Sequence, residues 1–446
     1  MSQPPKGRLM PRDVTRHYPR IVRGEGVNVY DDTGKRYLDA IAGIAVVNIG
    51  HGRAQVAEAL AAQAQTISYL QSSIFDNQPA NELAERVGRM TPAGLNHCFF
   101  VSGGSEATET AIKLARQYHV ERGDASRYLV IARWQSYHGG TLGALSLSGI
   151  VGRREKFAPL LLDFPHIAEC NCYRCPFGLT YPSCDVRCAR ELETAIKHAG
   201  PRNVSAFIAE PIVGAAAGAT TPPPEYFGII REICDRYGIL FIADEVITGF
   251  GRTGKNFGIE HWNVTPDIIT AAKGLSGGYV PLGAVIAHDK IREVFAQAGV
   301  GFVHGYTMVG NPLAASVGVA VLDIIEQEQL VARVASLEDG FFRRGRALLS
   351  HRVVGDVRGK GLLMGIELVK EQRTKETFPP AMRANAQLAA MCLRRGLVIY
   401  PGGGTSDGIN GDHFLLCPPF TINESELDEL FTMLDEALTE FEQHMI

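Results

Sequence analysis

The sequence lacks the features that would assign the protein to a membrane or to nucleic acid. No hydrophobic run approaches the length of a membrane span, and the N-terminal stretch MSQPPKGRLMPRD has no apolar core of a signal peptide. Lys and Arg are scattered, the net charge is −4, and there is neither a basic stripe nor an aromatic platform. We therefore expect a cytoplasmic globular protein whose partners include neither a membrane nor nucleic acid.

The chain also has no internal repeat and no low-complexity linker. Its nine cysteines are an odd number, which argues against a secreted disulfide framework. With 446 residues, of which 46% are hydrophobic and 21% charged, the chain has length for two or three domain-sized units around a large buried core.

Five of the cysteines crowd into the segment ECNCYRCPFGLTYPSCDVRC, namely Cys170, Cys172, Cys175, Cys184 and Cys188. Four thiolates could hold zinc, but the segment has no second CxxC pair, and its proline and aromatic residues are typical of packing. Buried or occasionally paired thiols in a structural loop are the alternative that we favour. We therefore predict no metal site in this chain.

The chain does contain two apolar, β-rich runs that each end in one charged residue. Residues 239–243 lead to Asp244 and residues 268–272 lead to Lys273, and Gly-rich turns follow both. Such runs are typical of buried strands in a parallel sheet, where ligands bind at the carboxyl ends of the strands. Asp244 and Lys273 therefore indicate a ligand site, unless they form a buried ion pair or merely cap the strands.

The chemistry of these two residues suits an aldehyde cofactor. A desolvated lysine has a lowered pKa and becomes a nucleophilic amine, which can form a Schiff base with pyridoxal phosphate (PLP). An ionised aspartate at the pyridine nitrogen keeps that nitrogen protonated, so that the ring can withdraw electrons from a substrate carbanion. Lys273 fits the first role and Asp244 fits the second.

Two other strand ends carry candidate binding residues. The turn SGGSEAT lies between a predicted strand and a predicted helix, so the amides of Gly104 and Ser105 would face an anion such as a phosphate. A plain helix cap is the alternative. After the predicted strand 128–132, Tyr137 could stack on a pyridine ring, with His138 beside it in the same loop. The alternative is a Tyr-His pair that only packs the loop.

The motifs DEVITGFGRTG and KGLSGGYVPLGA, with the order of the others along nearly the whole chain, resemble those of the class III aminotransferases, a branch of the fold-type I PLP enzymes. The resemblance implies that Lys273 carries PLP as an aldimine and that Asp244 holds the pyridine nitrogen. It implies that Val246 packs on the ring face opposite Tyr137. Glu210 matches the family's Glu-Pro motif near the cofactor, although a carboxylate satisfied by backbone amides is an equal alternative.

The resemblance also implies a homodimer with shared active sites. Relatives use a threonine in a loop like HGYTMVGNP to reach the phosphate of the partner subunit's cofactor, and Thr307 takes that position. The implied fold class is α/β, a fold-type I PLP-dependent transferase. Its large PLP-binding domain, residues 61–310, has a mostly parallel central sheet, as alternating strands and helices also suggest. Residues 1–60 and 311–446 form a smaller α+β domain built from both termini.

Within the family, the sequence resembles the omega-amino-acid:pyruvate and amine transaminases. Ile247 stands where relatives acting on 4-aminobutyrate or ornithine have glutamine, and Ala215 lies where those relatives have a second glutamate. We expect transamination of a primary amine or omega-amino acid with a keto acid. A PLP-dependent lyase, decarboxylase or aminomutase on the same scaffold is one alternative. A non-catalytic metal-binding or assembly protein that uses the cluster Cys170 to Cys188 is another.

Pyruvate is the expected acceptor because cations are missing where relatives bind a second carboxylate. Residues 396–446 contain no Lys or Arg, and Leu415 and Gly140 stand where such relatives have arginines. A buried carboxylate without a charged partner is costly, so a dicarboxylic acceptor such as 2-oxoglutarate is disfavoured. The sequence does not rank the candidates for a cation that binds the single carboxylate of pyruvate: Arg20, Arg153 and Arg154.

Overall fold

The computed structural model describes residues 8–10, 12–14, 16 and 18–445. The other residues before residue 18, and the last residue of the chain, lie outside the described residues. Within the described residues, no helix combines the length and the hydropathy that crossing a membrane requires.

Fifteen strands, numbered β1 to β15 along the chain, are present in the described residues: Ile21–Glu25, Asn28–Asp31, Arg36–Asp39, Leu95–Val101, Leu129–Arg133, His166–Ile167, Val204–Ala209, Leu240–Asp244, Ile268–Ala271, Gly283–His288, Val354–Lys360, Leu363–Leu368, Leu397–Val398, Tyr400–Gly403 and Asp412–Leu416. They form one sheet of seven strands and two sheets of four strands.

Thirteen α-helices, α1 to α13, lie in the same part of the chain: Ala42–Ala45, Ala54–Thr66, Gln78–Met90, Gly104–Glu121, Leu142–Leu147, Val151–Arg154, Arg187–Ala199, Tyr226–Tyr237, Asp289–Ala298, Pro312–Gln327, Leu330–Ala347, Ala384–Arg395 and Glu424–Met445. Short 3₁₀ helices join them: Glu155–Leu160, Gly258–Trp262, Lys273–Leu275, Leu348–Ser350 and Pro380–Met382.

The seven-stranded sheet has the order β4-β10-β9-β8-β7-β5-β6. Strand β10 runs antiparallel to both of its neighbours, and the other six strands run in one direction. Every residue of β7, β8 and β9 is buried, as expected for strands covered on both faces. The predicted α/β fold with a mostly parallel central sheet is confirmed.

Helix α4 shows how the helices cover this sheet. Its buried side chains include Ala107, Ala111, Leu114 and Tyr118, which recur at helical spacing and form one apolar face. That face packs on β9 and β10. The predicted strand-turn-helix unit is therefore present, and the start of α4 lies at the carboxyl edge of the sheet.

The two smaller sheets come from the ends of the chain. Strands β2 and β3 form an antiparallel hairpin, and Asp31 stabilises its turn by accepting hydrogen bonds from the amides of Thr33 and Lys35. Strand β13 pairs parallel with β3, so N-terminal and C-terminal segments share one sheet. The third sheet, β11-β12-β15-β14, is antiparallel. The domain division at residues 60 and 310 stays a prediction.

Candidate active site

The two charges that end the apolar runs lie on neighbouring strands. Asp244 is the last residue of β8 and pairs with Thr270 of β9, and Lys273 follows two residues after β9. The backbone of Lys273 has a φ of +45°, in the left-handed region that residues other than Gly, Asn and Asp rarely adopt. Such strain, on the order of 1–3 kcal/mol, is concentrated at functional sites.

A cavity of about 160 Å³ opens between these strand ends and the start of α4. Its lining contains eight of the nine residues predicted to bind the cofactor. The full lining is Gly104, Ser105, Tyr137, His138, Gly139, Glu210, Asp244, Val246, Ile247, Ala272 and Lys273. The exception is Thr307, which lies on the surface in the turn before α10.

Asp244 and His138 form a buried pair at the floor of the cavity. Nδ1 of His138 donates a hydrogen bond of 2.6 Å to Oδ2 of Asp244, and both residues are 3% exposed. Oδ1 of Asp244 accepts a hydrogen bond of 3.1 Å from the amide of Val246. Because a carboxylate has about four lone-pair positions, Asp244 can still accept a bond from a ligand. The contact with His138 was not expected from the sequence.

Glu210 is bonded to backbone amides, as the alternative interpretation held. Its Oε1 accepts from the amide of Tyr137 at 2.9 Å and its Oε2 accepts from the amide of Gly214 at 3.0 Å. Burial raises the pKa of this carboxyl. No hydrogen bond joins Glu210 to Asp244 within the described residues. Glu210 therefore fixes the loop that carries Tyr137.

Arg133 contacts the backbone of Glu210, and this residue was not identified from the sequence. The arginine ends β5 and is 1% exposed, and its Nη2 donates a hydrogen bond of 2.5 Å to the backbone carbonyl of Glu210. Its Nε and Nη1 have no hydrogen-bond partner within the described part of the chain. The only signal in the sequence was a charged residue that extends an apolar strand by one position.

Lys273 has the electrostatic environment of a nucleophilic amine. Burial lowers its pKa to about 8, although Cys417, Asp244 and Glu210 favour the charged form. An amine with this pKa is unprotonated in about a tenth of the molecules at pH 7, far more than an ordinary lysine. Cys417, which is 1% exposed, is the second residue that the sequence analysis missed.

The start of α4 can hold an anion. The first amides of an α-helix have no acceptor within the helix, and the helix dipole favours negative charge there. Gly104 begins α4, and a Cβ on it would lie 3.1 Å from Cγ1 of Val246, so a larger residue would crowd this side of the cavity. Oγ of Ser105 accepts a hydrogen bond of 3.0 Å from the amide of Gly140.

The cysteine-rich segment lies outside this cavity and runs from the loop after β6 into the first turn of α7. All nine cysteines are free thiols, and the sulfur atoms of Cys170 and Cys188 are 3.7 Å apart. Within the described ranges, no three His, Cys, Asp or Glu side chains are arranged to hold a metal ion.

Comparisons with known proteins give matches along nearly the whole chain. The family model described as aminotransferase class-III matches residues 9–438. An uncharacterized aminotransferase of Bacillus subtilis, YodT, is 39% identical over 440 residues, which are 98% of each chain. The putrescine–pyruvate aminotransferase of Pseudomonas aeruginosa is 37% identical, over 95% of this chain and 90% of that one. The structure of an (S)-enantioselective omega-transaminase from Thermomicrobium roseum superimposes with a TM-score of 0.91 and 38% identity, covering 98% and 96% of the two chains.

Proposed function

Because the chain belongs to the class III aminotransferases, we propose that it binds PLP in the cavity at Lys273 and transfers the amino group of a primary amine or omega-amino acid to pyruvate. The observation that carries this proposal is the meeting of Lys273, Asp244 and the start of α4 in one cavity. Membership of an enzyme family removes the non-catalytic assembly protein from consideration. The deciding experiment is to load the protein with PLP and measure alanine formed from pyruvate and an amine.

The cavity fits the cofactor group by group. Lys273 would hold the aldehyde carbon, Asp244 the pyridine nitrogen, and the amides of Gly104 and Ser105 the phosphate. The ring would lie between Tyr137 and Val246, which both line the cavity. When bound, PLP supplies an electron-withdrawing ring that stabilises negative charge at the substrate carbon.

Protein side chains would transfer the proton and hold the other site residues in position. The amine of Lys273, with its pKa near 8, can take a proton from the amine-bearing carbon of the donor. In the second half of the reaction it can deliver a proton to the acceptor carbon that receives the amino group. Asp244 stays in place because His138 and the amide of Val246 both bond to it. Glu210 holds Tyr137 through its backbone amide.

Among the three arginines considered for the acceptor's carboxylate, Arg153 is best placed. Its guanidinium lies 4.3 Å from the ring centre of Tyr137, which lines the cavity, and its Nη2 donates to the hydroxyl of Tyr400. No carboxylate among the described residues pairs with it. By contrast, one nitrogen of Arg154 donates to three backbone carbonyls, and the side chain of Arg20 is 82% exposed beside Asp32. We propose that Arg153 binds the single carboxylate of pyruvate.

Replacing Arg153 by alanine should raise KM for pyruvate by roughly 10- to 100-fold, because a hydrogen bond to a charged group contributes about 1.5–3 kcal/mol. KM for a donor amine without a carboxylate should stay unchanged. The wild type should prefer pyruvate to 2-oxoglutarate. Steady-state kinetics with one donor and both acceptors measure these effects.

The conservative variant Arg153→Lys is the matched control, because it keeps the positive charge and should recover part of the affinity for pyruvate. A wild-type preference for 2-oxoglutarate, or an unchanged KM for pyruvate in Arg153→Ala, would show that another cation binds the acceptor.

We also propose a homodimer in which Thr307 completes the partner's site. Two loops beside Thr307 are joined by hydrogen bonds from Asn77 to the carbonyl of Gly310 and from Asn311 to the carbonyl of Ser68. Together they expose large apolar side chains: Ile67, Tyr69, Ile74, Phe75, Val303 and Met308. An exposed apolar surface of this kind supports an interface with a second copy. Cytoplasmic location stays a prediction from the sequence.

Complementation tests the role of Thr307. A Thr307→Ala protein should bind PLP roughly 10- to 100-fold more weakly, through the loss of one hydrogen bond to a charged phosphate. Mixed with an inactive Lys273→Ala protein, it should regain activity, because one of the two sites in the mixed dimer then has Lys273 from one chain and Thr307 from the other. If Thr307 served its own chain, no intact site would form. A monomer with full activity would equally contradict the proposal.

A further inference from the structure

The cysteine-rich segment contains one close pair of thiols. Cys170 follows β6, and Cys188 lies in the first turn of α7, so the fold brings the two ends of the segment together. Their sulfur atoms are 3.7 Å apart, and closing that distance to a disulfide bond of about 2.05 Å requires a shift of under about 2 Å. Because helix α7 packs on β5 and β6, this contact belongs to a packed part of the fold.

The surroundings of the pair favour a thiolate at Cys188. Backbone amides at the start of α7 point toward it, as they do toward anions at other helix starts. The hydrogen bond with Cys170 lowers the pKa of Cys188, and the same contact, together with burial, raises the pKa of Cys170. The guanidinium of Arg133 adds positive charge near both sulfurs. The other ionisable neighbours of the pair, Cys172 and the hydroxyl of Tyr226, carry no positive charge.

Arg133 gives a physical reason for such a thiolate. The guanidinium is fully buried, its Nε and Nη1 have no hydrogen-bond partner among the described residues, and its Nη2 donates to a neutral carbonyl. A buried cation requires a negative partner nearby. The carboxylate of Glu210 is bonded to backbone amides, and Cys170 is among the groups that favour the charged form of Arg133, after Tyr226.

Access is also unequal between the two sulfurs. Cys170 is 1% exposed, whereas Cys188 is partly exposed and lines a small cavity together with Cys172, Cys175 and Cys184. A small oxidant therefore meets Cys188 first and Cys170 second. This is the arrangement of an attacking thiol and a resolving thiol.

We propose that Cys170 and Cys188 are a redox-active pair that hydrogen peroxide converts into an intramolecular disulfide and that a small thiol reduces again. The thiolate of Cys188 attacks one peroxide oxygen, and the O–O bond breaks with release of hydroxide, which leaves a sulfenic acid on Cys188. The sulfur of Cys170 then attacks the Cys188 sulfur, and the S–O bond breaks as water leaves. Peroxide accepts two electrons, one from each sulfur, and the thiol protons end in water.

Thiol counting on the PLP-loaded, full-length protein tests the proposal. Treatment with a small excess of peroxide, quenched with catalase, should reduce the titratable thiols from nine to seven, and dithiothreitol should restore all nine. Trypsin cleaves after Arg174 and Arg187, which releases Cys170 together with Cys172 and Cys188 in a separate peptide. Mass spectrometry should find these two peptides linked, with fragmentation assigning the bond to Cys170. The melting temperature should rise by a few degrees, because the disulfide closes a loop.

Matched variants separate this pair from the rest of the segment. Cys172→Ser and Cys184→Ser should still lose two thiols to peroxide, whereas Cys188→Ser and Cys170→Ser should not form the linked peptide. In Cys170→Ser, the lone Cys188 should be oxidised further to the sulfinic acid. The resulting mass increase of the Cys188 peptide can be measured even if the variant is less stable than the wild type. The proposal is wrong if the bond joins other cysteines, if all nine thiols survive peroxide that oxidises a free cysteine peptide, or if the reduced protein holds zinc through these sulfurs.

Discussion

Replacing Lys273 by alanine should lower kcat by at least 10²- to 10⁴-fold, the usual contribution of one proton-transfer group. The effect should be this large because the proposed mechanism gives Lys273 two tasks, to attach the cofactor and to move the proton at the substrate carbon. No other amine lines the cavity in the described part of the chain. Borohydride should fix PLP to the tryptic peptide containing Lys273 in the wild type and should leave the variant unlabelled.

The pKa of Lys273 adds a pH test of the same prediction. Only the unprotonated amine is a nucleophile, so the rate at which the cofactor-free protein captures PLP should rise with pH and level off above about pH 8. An ordinary lysine would show the plateau two to three pH units higher. The exposed Lys255→Ala variant should behave as the wild type. Normal turnover and fixation in Lys273→Ala would end the assignment.

Asp244→Asn should lower kcat/KM by about 10²- to 10⁴-fold while the cofactor stays attached at Lys273. Asparagine has nearly the same shape, and it can still accept the amide of Val246, but it has no charge to keep the pyridine nitrogen protonated. Loss of a nearby opposite charge shifts a pKa by about 1–3 units, so the bound cofactor should lose its protonated form near neutral pH. Cofactor absorbance against pH measures this change independently of activity.

The next residue provides a control for Asp244. Glu245 is also fully buried, but its carboxylate accepts hydrogen bonds from the amides of Gly258 and Ile259 and does not line the cavity. Burial raises its pKa to about 7, so its charge is already partly neutralised. Glu245→Gln should therefore leave the cofactor spectrum unchanged. Equal losses in the two variants would mean that Asp244 acts on the fold and not on the cofactor.

The sequence predicted those parts of the site that depend on strand ends. Runs of buried residues without alternation identify strands covered on both faces, and in a parallel sheet their carboxyl ends meet at one edge. Asp244 and Lys273 could be placed in that way, and the structure brings them to one cavity. The turn at Gly104 could be placed at the same edge because it joins a strand to a helix, although the glycine pair alone suits a plain helix cap equally well.

The sequence could not predict contacts that join distant segments. Arg133 donates a hydrogen bond to the backbone of Glu210, and Arg153 contacts both Tyr137 and Tyr400. No local sequence pattern predicts these contacts. The cysteine spacing showed a cluster but not which two sulfurs meet. The left-handed backbone at Lys273 contradicts local preference and exists only because the surrounding packing imposes it.

The parallel pairing of β3 with β13 also bears on how the chain folds while it is being made. Leu38 pairs with Leu397, so the N-terminal hairpin cannot complete its sheet until nearly the whole chain has left the ribosome. At a synthesis rate of roughly 5–20 residues per second, the open edge of β3 waits for about 20 to 70 seconds. The seven-stranded sheet, whose last strand ends at His288, can assemble during that time. An unpaired strand edge is a template for pairing with other chains, so this interval is the step at which a chaperone would protect the nascent protein.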